Sequence, residues 1–199
     1  MRRVRIFFAA LMAITISQFA FAADPAKPAT AIFAGGCFWC SEADFEKLPG
    51  VLGAESGYTA GKLPNPTYEQ VSAGGTGHTE AVRVTYDPAK VSYSQLVEYF
   101  WRHIDPTVQD QQFCDHGSQY RSGIYWANDG ERKTVEDSRD ALLKSGRFQK
   151  IYTQIAAATA FYPAEEYHQD YYKKNPLRYA YYRRGCGRDA RVNAIWGEK

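Results

Sequence analysis

The apolar run Ala31-Ile32-Phe33-Ala34 stops at Gly35-Gly36 and reads as a strand closing into a tight turn. Helix-forming residues follow at 41–48, with carboxylates near the start, and Pro49-Gly50 ends them, so a helix begins near Cys37. Positions 51–56 read as a second strand. Positions 57–79 are rich in Gly, Pro, Asn and Thr without helical period, and a loop that long carrying Tyr58, Tyr68 and His78 reads as functional. The stretch 81–86 alternates like a half-buried strand and ends at Asp87-Pro88. Ser92 is a good N-cap, and Tyr93, Leu96, Val97, Phe100, Trp101 and Ile104 then form a core-facing helical stripe. A second polar loop spans 107–119. A strand at 122–126, a helix at 131–144, a strand at 151–160 and a short helix at 165–173 follow. The tail from Tyr179 is basic and aromatic, and Gly185-Cys186-Gly187 gives it mobility. Strands and helices alternate through irregular connections, which predicts an α/β two-layer sandwich.

The first residues change this picture only by dropping out of it. Met1-Arg2-Arg3-Val4-Arg5 is a basic opening, 6–16 is almost wholly apolar, and Ala20-Phe21-Ala22 offers small residues where a signal peptidase reads. The expectation is a cleaved signal peptide at 1–22, a flexible leader at 23–30 and a single catalytic domain at 31–199. The apolar run is short for a membrane span, so no stable membrane association is expected after cleavage. Of 24 Lys and Arg, removal of Arg2, Arg3 and Arg5 leaves 21 against 22 acidic residues, a net charge of −1. A near-neutral chain does not point to nucleic acid or an acidic membrane. The destination expected is secretion into a bacterial periplasm, and the protein is expected to be a monomer.

Four cysteines, at 37, 40, 114 and 186, are bound for an oxidising compartment, where an even count usually means structural disulfides. Cys37-Phe38-Trp39-Cys40 has redox spacing, however, so some of them are expected to cycle. A thiol at a helix N-terminus sees unpaired N–H groups and the positive end of the helix dipole, which favour thiolate and place Cys37 as a nucleophile. The blander alternative is a small buried core residue. Glu80, in Gly77-His78-Thr79-Glu80, is either a surface charge or, in an aromatic pocket, a general acid with a raised pKa. Tyr68 and Tyr120 are either core tyrosines or donors to a polar substrate oxygen. His78, His116, Cys114 and Cys37 lack the close double spacing of a zinc site, so no metal is expected. His103 and His168 read as satisfied or surface histidines.

Several motifs together resemble the type A peptide methionine sulfoxide reductases. They are Gly36-Cys37-Phe38-Trp39, Asn65-Pro66-Thr67-Tyr68, Gly75-Thr76-Gly77-His78-Thr79-Glu80, 115–122 beginning Asp115-His116-Gly117-Ser118, 161–165, 168–171 and Lys174-Asn175-Pro176. The resemblance covers nearly all of 31–196. It implies a two-layer fold with a ferredoxin-like core and no metal or organic cofactor. It implies that Cys37 attacks the sulfur of the S epimer of methionine sulfoxide, protein-bound and free. Phe38 and Trp39 then hold the methyl group, Glu80 protonates the departing oxygen, Tyr68 and Tyr120 hydrogen-bond around it, and Asp115 and His116 shape the substrate site. A sulfenic acid on Cys37 would be resolved as a disulfide and reduced by a thioredoxin-like dithiol protein, repairing oxidised proteins.

Cys40 stands where much of the family has glycine, and Cys186 lies between glycines in the tail, so either can be the resolving thiol. The flanking glycines incline the assignment to Cys186, with a relay between the two as the further option, and Cys114, next to Asp115 in the site loop, reads as a structural or bystander thiol. Two other readings remain: a secreted CxxC thiol–disulfide oxidoreductase, which needs no Glu80, Tyr68 or Tyr120, and a noncatalytic module with four oxidised cysteines.

Overall fold

The computed structural model describes residues 27–197, so the expected signal peptide at 1–22 lies outside the described residues. In chain order the elements are β1 (Ala29–Gly35), α1 (Phe38–Phe45), β2 (Val51–Thr59), α2 (Tyr68–Ser72), β3 (Thr79–Tyr86), α3 (Tyr93–Trp101), β4 (Gln111–Gln112), β5 (Asp115–His116), β6 (Ser122–Trp126), α4 (Asp129–Lys144), β7 (Gln154–Ala157), β8 (Tyr162–Pro163), α5 (Tyr171–Lys174), α6 (Pro176–Gly185) and α7 (Arg188–Trp196). Ala29 and Thr30 already pair with Tyr86 and Thr85, so the strand starts inside the stretch expected to be leader.

The main sheet has the order β7-β6-β1-β3-β2-β8. Its middle four strands pair antiparallel and, with α1 and α3 as the two crossovers, form the βαββαβ ferredoxin-like unit. The α/β two-layer expectation is met. β7 adds in parallel beside β6, and β8 extends the β2 edge. Phe33 of β1, Val82 and Val84 of β3, and Ile124 of β6 face Leu96, Val97, Phe100 and Trp101 of α3, with Val135 of α4 and Val192 and Trp196 of α7 completing the same core. Each fully buried large side chain contributes on the order of 1.5–3 kcal/mol. The opposite sheet face carries only a small cluster of Ala34, Ala81 and Tyr125.

The local chemistry agrees with these boundaries. Ser92 accepts from the Gln95 N–H while Gln95 returns a bond to the Ser92 N–H, a reciprocal cap on α3. Thr67 and Gln70 make the same box on α2, so the long loop contains a short helix. The helix expected at 165–173 shrinks to α5, because Asp170 takes a left-handed conformation at φ 52°. The tail is not a mobile segment but two helices. Gly187, at φ 69°, makes the left-handed junction between α6 and α7, the conformation in which glycine pays no steric penalty. Among the described residues no helix is long and apolar enough to cross a membrane.

Candidate active site

The site grows from the end of β1. Gly36 turns the chain at φ 81°, and a Cβ there would lie 2.5 Å from Gln112 Cβ, so only glycine fits. Cys37 follows as the N-cap of α1. The first helical amide is not left free: Phe38 N–H donates to Glu80 Oε2 at 3.0 Å. Glu80 reaches it from β3, where it pairs across the ladder with Tyr58.

Most of α1 is buried, including its carboxylates. The C-terminal segment supplies their partners. Glu42 accepts from the Asp170 N–H at 3.0 Å. Asp44 lies 2.9 Å from Arg183 and 3.5 Å from Arg188. Burial alone would raise Asp44, but these two guanidiniums outweigh it and hold its carboxyl below the ordinary value. Arg188, itself 2 % exposed, donates to the carbonyls of Gly35 and His103 and lies over the Phe113 ring. The tail is thereby clamped against the catalytic helix.

A small cavity of about 70 Å³ opens beside Cys37, lined by Phe38, Trp39, Tyr68, Glu80, Asp115, Tyr120 and Tyr182. One wall is apolar. Phe38 is buried against Tyr58, Tyr68 and His168. Trp39 stacks on Tyr171 with centroids 3.7 Å apart, and its indole N–H donates to His168 Nδ1 at 3.0 Å. The indole nitrogen can only donate, so the His168 proton sits on Nε2, and burial pushes that imidazole's pKa down, keeping it neutral. The other wall is a set of donors. Glu165 anchors it from outside the cavity, accepting from the Tyr68 N–H at 2.8 Å and the Tyr58 hydroxyl at 2.9 Å.

Burial pushes the Glu80 carboxyl up to about 8; the Phe38 N–H opposes this, while Asp115 and Cys40 add to it. At neutral pH Glu80 is therefore mostly a neutral acid. Burial and then the Glu80 charge push the Tyr68 hydroxyl up to about 12, and burial drives Tyr120 upward too, so both remain donors. Burial also raises Asp115, although its bond from the Tyr182 hydroxyl at 2.6 Å favours the carboxylate.

The thiols behave differently from the expectation of an isolated thiolate on Cys37. Burial pushes Cys37 well above the ordinary thiol range, and its hydrogen bond to Cys40 and the Glu80 charge act in the same sense. That bond brings Cys40 down to about 7 against burial, helped by Arg188 and Arg183. The pair thus holds its first negative charge as S–H···S⁻, with the proton on Cys37. Burial is the larger effect and outweighs the helix N-terminus, whose first amide is taken up by Glu80.

Cys37, Phe38, Trp39, Tyr68, Glu80, Asp115 and Tyr120, all nominated from the sequence, meet at this cavity. His116 does not. It is exposed on the β4–β5 hairpin, its Nδ1 paired with Gln111 Oε1 at 2.8 Å. Cys186, favoured as the resolving thiol, is disulfide-bonded to Cys114 in this state, which gives Cys114 the structural one of its two expected roles. Cys37 and Cys40 are free thiols, which excludes four permanently oxidised cysteines in this state. Of the residues weighed as metal ligands, His78 bonds the Gly61 N–H and the Leu63 carbonyl, and the others are engaged as described. Sequence reasoning missed Tyr182 and undervalued His168. One signal for Tyr182 was its position four residues before Cys186, one turn along a helix.

A family model for peptide methionine sulfoxide reductase matches residues 29–199. "Peptide methionine sulfoxide reductase MsrA 2" of Caulobacter vibrioides is 50% identical over 197 residues, spanning 99% of this chain and 100% of that protein. Reduced Mxr1 from Saccharomyces cerevisiae superposes with a TM-score of 0.71 at 34% identity, covering 77% of this chain and 88% of that one. Mxr1 in complex with Trx2 also matches, at a TM-score of 0.52 and 26% identity over 77% of this chain and 91% of that one. A donor wall facing an apolar wall across a buried thiol, on a ferredoxin-like frame matched almost end to end, makes this chain a member of the peptide methionine sulfoxide reductase family, type A.

Proposed function

We propose that this chain reduces the S epimer of methionine sulfoxide in oxidised proteins and peptides, with Cys37 as nucleophile and Glu80 as acid. The observation that carries this reading is the neutral, buried carboxyl of Glu80 bonded to the Phe38 amide beside Cys37. Sulfoxide oxygen is a poor leaving group unless protonated, and a carboxyl kept neutral at working pH can supply that proton.

The substrate methyl packs against Phe38 and Trp39 while the oxygen faces Glu80, Tyr68 and Tyr120. Exchanging methyl and oxygen would set a polar atom on the apolar wall and leave the donors unpaired, so one epimer is selected. Cys37 gives its proton to Cys40 and attacks sulfur. Glu80 protonates the oxygen, the OH passes from the substrate sulfur to the Cys37 sulfur, and the S–O bond to the substrate and the new sulfur–sulfur bond both break, leaving methionine and a sulfenic acid on Cys37. The Cys40 sulfur, already hydrogen-bonded to Cys37, displaces water to form the Cys37–Cys40 disulfide. A thioredoxin-like dithiol then restores the thiols, a partnership supported by the Mxr1–Trx2 complex. The basic and apolar leader supports export, in which case that dithiol is delivered outside the cytoplasm. The disulfide-exchange alternative assigns no task to Glu80, Tyr68 and Tyr120, yet all three line the cavity with Cys37.

Single-turnover reduction of each epimer of a methionine sulfoxide peptide, without added reductant, tests the reading. Wild type should yield methionine from the S epimer alone, and Cys40→Ser should accumulate a sulfenic acid that dimedone traps on Cys37. Methionine from neither epimer would refute the assignment.

A further inference from the structure

Trp39 rides on the first turn of α1, but the groups that grip its indole come from the distant segment 165–171. His168 takes the indole N–H, and the Tyr171 ring lies parallel to it within 6°. That segment turns twice, through the His168 N–H to the Glu165 carbonyl and the Gln169 N–H to the Glu166 carbonyl, and then passes Asp170 in the left-handed region. A residue other than glycine bears a steric penalty there, which its surroundings must offset. Two side chains pin the segment in place. Gln169 ties it to β2, accepting from the Ser56 N–H and donating to the Ser56 carbonyl, both at 2.9 Å. Glu42 ties it to α1, accepting from the Asp170 N–H at 3.0 Å.

Glu42 stands three residues beyond Trp39, on the same face of α1, and Tyr171 follows Asp170 directly. The bond therefore joins the two partners of the ring stack, each at its own backbone. Gln169 cannot set that register, because it fixes the segment to the sheet while Trp39 moves with α1. Glu46, one turn farther along, also reaches α5, but through Tyr172 and Lys173, which lie past the stack. The arrangement costs the fold. Glu42 is 1 % exposed, its second oxygen is buried without a hydrogen-bond partner, and burial pushes the carboxyl up to about 7 against the Asp170 bond. An apolar side chain would avoid that cost, so the bond to Asp170 is the task the carboxyl performs.

Resting on the reductase reading above, we propose that Glu42 is a positioning residue for substrate binding: through the Asp170 backbone it seats Tyr171 on Trp39 and so fixes the apolar wall that receives the substrate methyl group. Glu42 itself does not line the cavity. The wall meets the methyl group before and during oxygen transfer alike. Displacing it weakens the ground state and the transition state together, which raises KM and spares kcat.

The experiment uses the mature protein turning over an S-sulfoxide peptide with dithiothreitol as reductant. Glu42→Leu should raise KM about tenfold, roughly the weight of one hydrogen bond, with kcat within about twofold of wild type. Glu42→Gln, which keeps an acceptor of the same reach, should restore KM. The double variant Glu42→Leu/Tyr171→Leu should have the KM of Tyr171→Leu alone, because both changes act on one ring stack. Asp170→Val pulls the same link from outside, since the Asp170 side chain is 43 % exposed. A β-branched residue resists the left-handed conformation, so KM should rise, whereas Asp170→Asn, which tolerates it, should match wild type. This second pair decides the matter if Glu42→Leu does not fold. An unchanged KM in either Glu42→Leu or Asp170→Val, or single effects that multiply in the double variant, would overturn the positioning role and leave the reductase reading intact. No methionine from wild type would overturn the reductase reading and the positioning role with it.

Discussion

Glu80→Gln separates two effects of burying a carboxyl beside the nucleophile. In the unfolded chain Glu80 titrates near its ordinary 4.5, whereas in the folded protein burial lifts it to about 8. The folded value is the higher one, so between these values the native state holds a proton that the unfolded state has lost. The contribution of Glu80 to stability therefore declines as pH rises from about 4.5 and levels off above about 8. The span is roughly 3.5 pH units at about 1.4 kcal/mol each, a ceiling of about 5 kcal/mol. Glutamine never ionises, has nearly the same shape, and can still accept from the Phe38 N–H through its amide oxygen. Urea denaturation followed by tryptophan fluorescence at pH 5 and pH 9 measures the effect. The variant should gain several kcal/mol on wild type between the two pH values. Glu42, which burial lifts to about 7, titrates in the same window but is common to both proteins and falls out of the difference. The variant should also lose on the order of 10²- to 10⁴-fold in single-turnover rate at pH 7, the usual contribution of a general acid. Parallel pH slopes in the two proteins would show that Glu80 ionises normally and would remove the basis for its role as the acid.

Arg188→Ala removes one of two guanidiniums from buried Asp44 and the donors to the Gly35 and His103 carbonyls. It should destabilise the protein by about 3–5 kcal/mol in urea denaturation at pH 7, and a loss below about 1 kcal/mol would contradict the clamp. His168→Leu deprives the Trp39 indole N–H of its acceptor, so KM for the sulfoxide peptide should rise by a larger factor than kcat falls. His168→Asn, which retains an acceptor, should recover part of the loss; equal KM in all three proteins would show that the bond does not orient Trp39.

The parts legible in the sequence are those in which apolar spacing fixes the answer. β3 and α3 carry clean periods, and α3 carries a reciprocal cap as well. The Thr67-x-x-Gln70 box on α2 is equally present, but the surrounding Gly- and Pro-rich loop masks so short a helix. The C-terminal helices were hidden for a different reason. α6 has no buried residue and leaves Leu177 and Tyr181 exposed, so no apolar stripe announces it. It is held by Arg183 on Asp44, Tyr182 on Asp115 and Cys186 on Cys114, contacts that span 67 or more positions and have no local signature. The chemistry shows the same division. Cys37, Phe38, Trp39 and Glu80 sit in short motifs, whereas Tyr182 joins them only through that distant docking. The Cys37 ionisation expected from its place on the helix fails because burial, which sequence does not show at that position, is the larger effect.

The bond between Cys114 and Cys186 ties positions 72 residues apart, and so it restricts the unfolded chain as well as the pocket. In the loop-closure picture, a link of that span removes about 4 kcal/mol of conformational freedom from the denatured ensemble. The fully reduced protein forgoes that restraint. Its resistance to unfolding is thus tied to the redox poise of its surroundings, and opening this one bond, with Cys37 and Cys40 unchanged, leaves the chain more exposed to local unfolding and proteolysis.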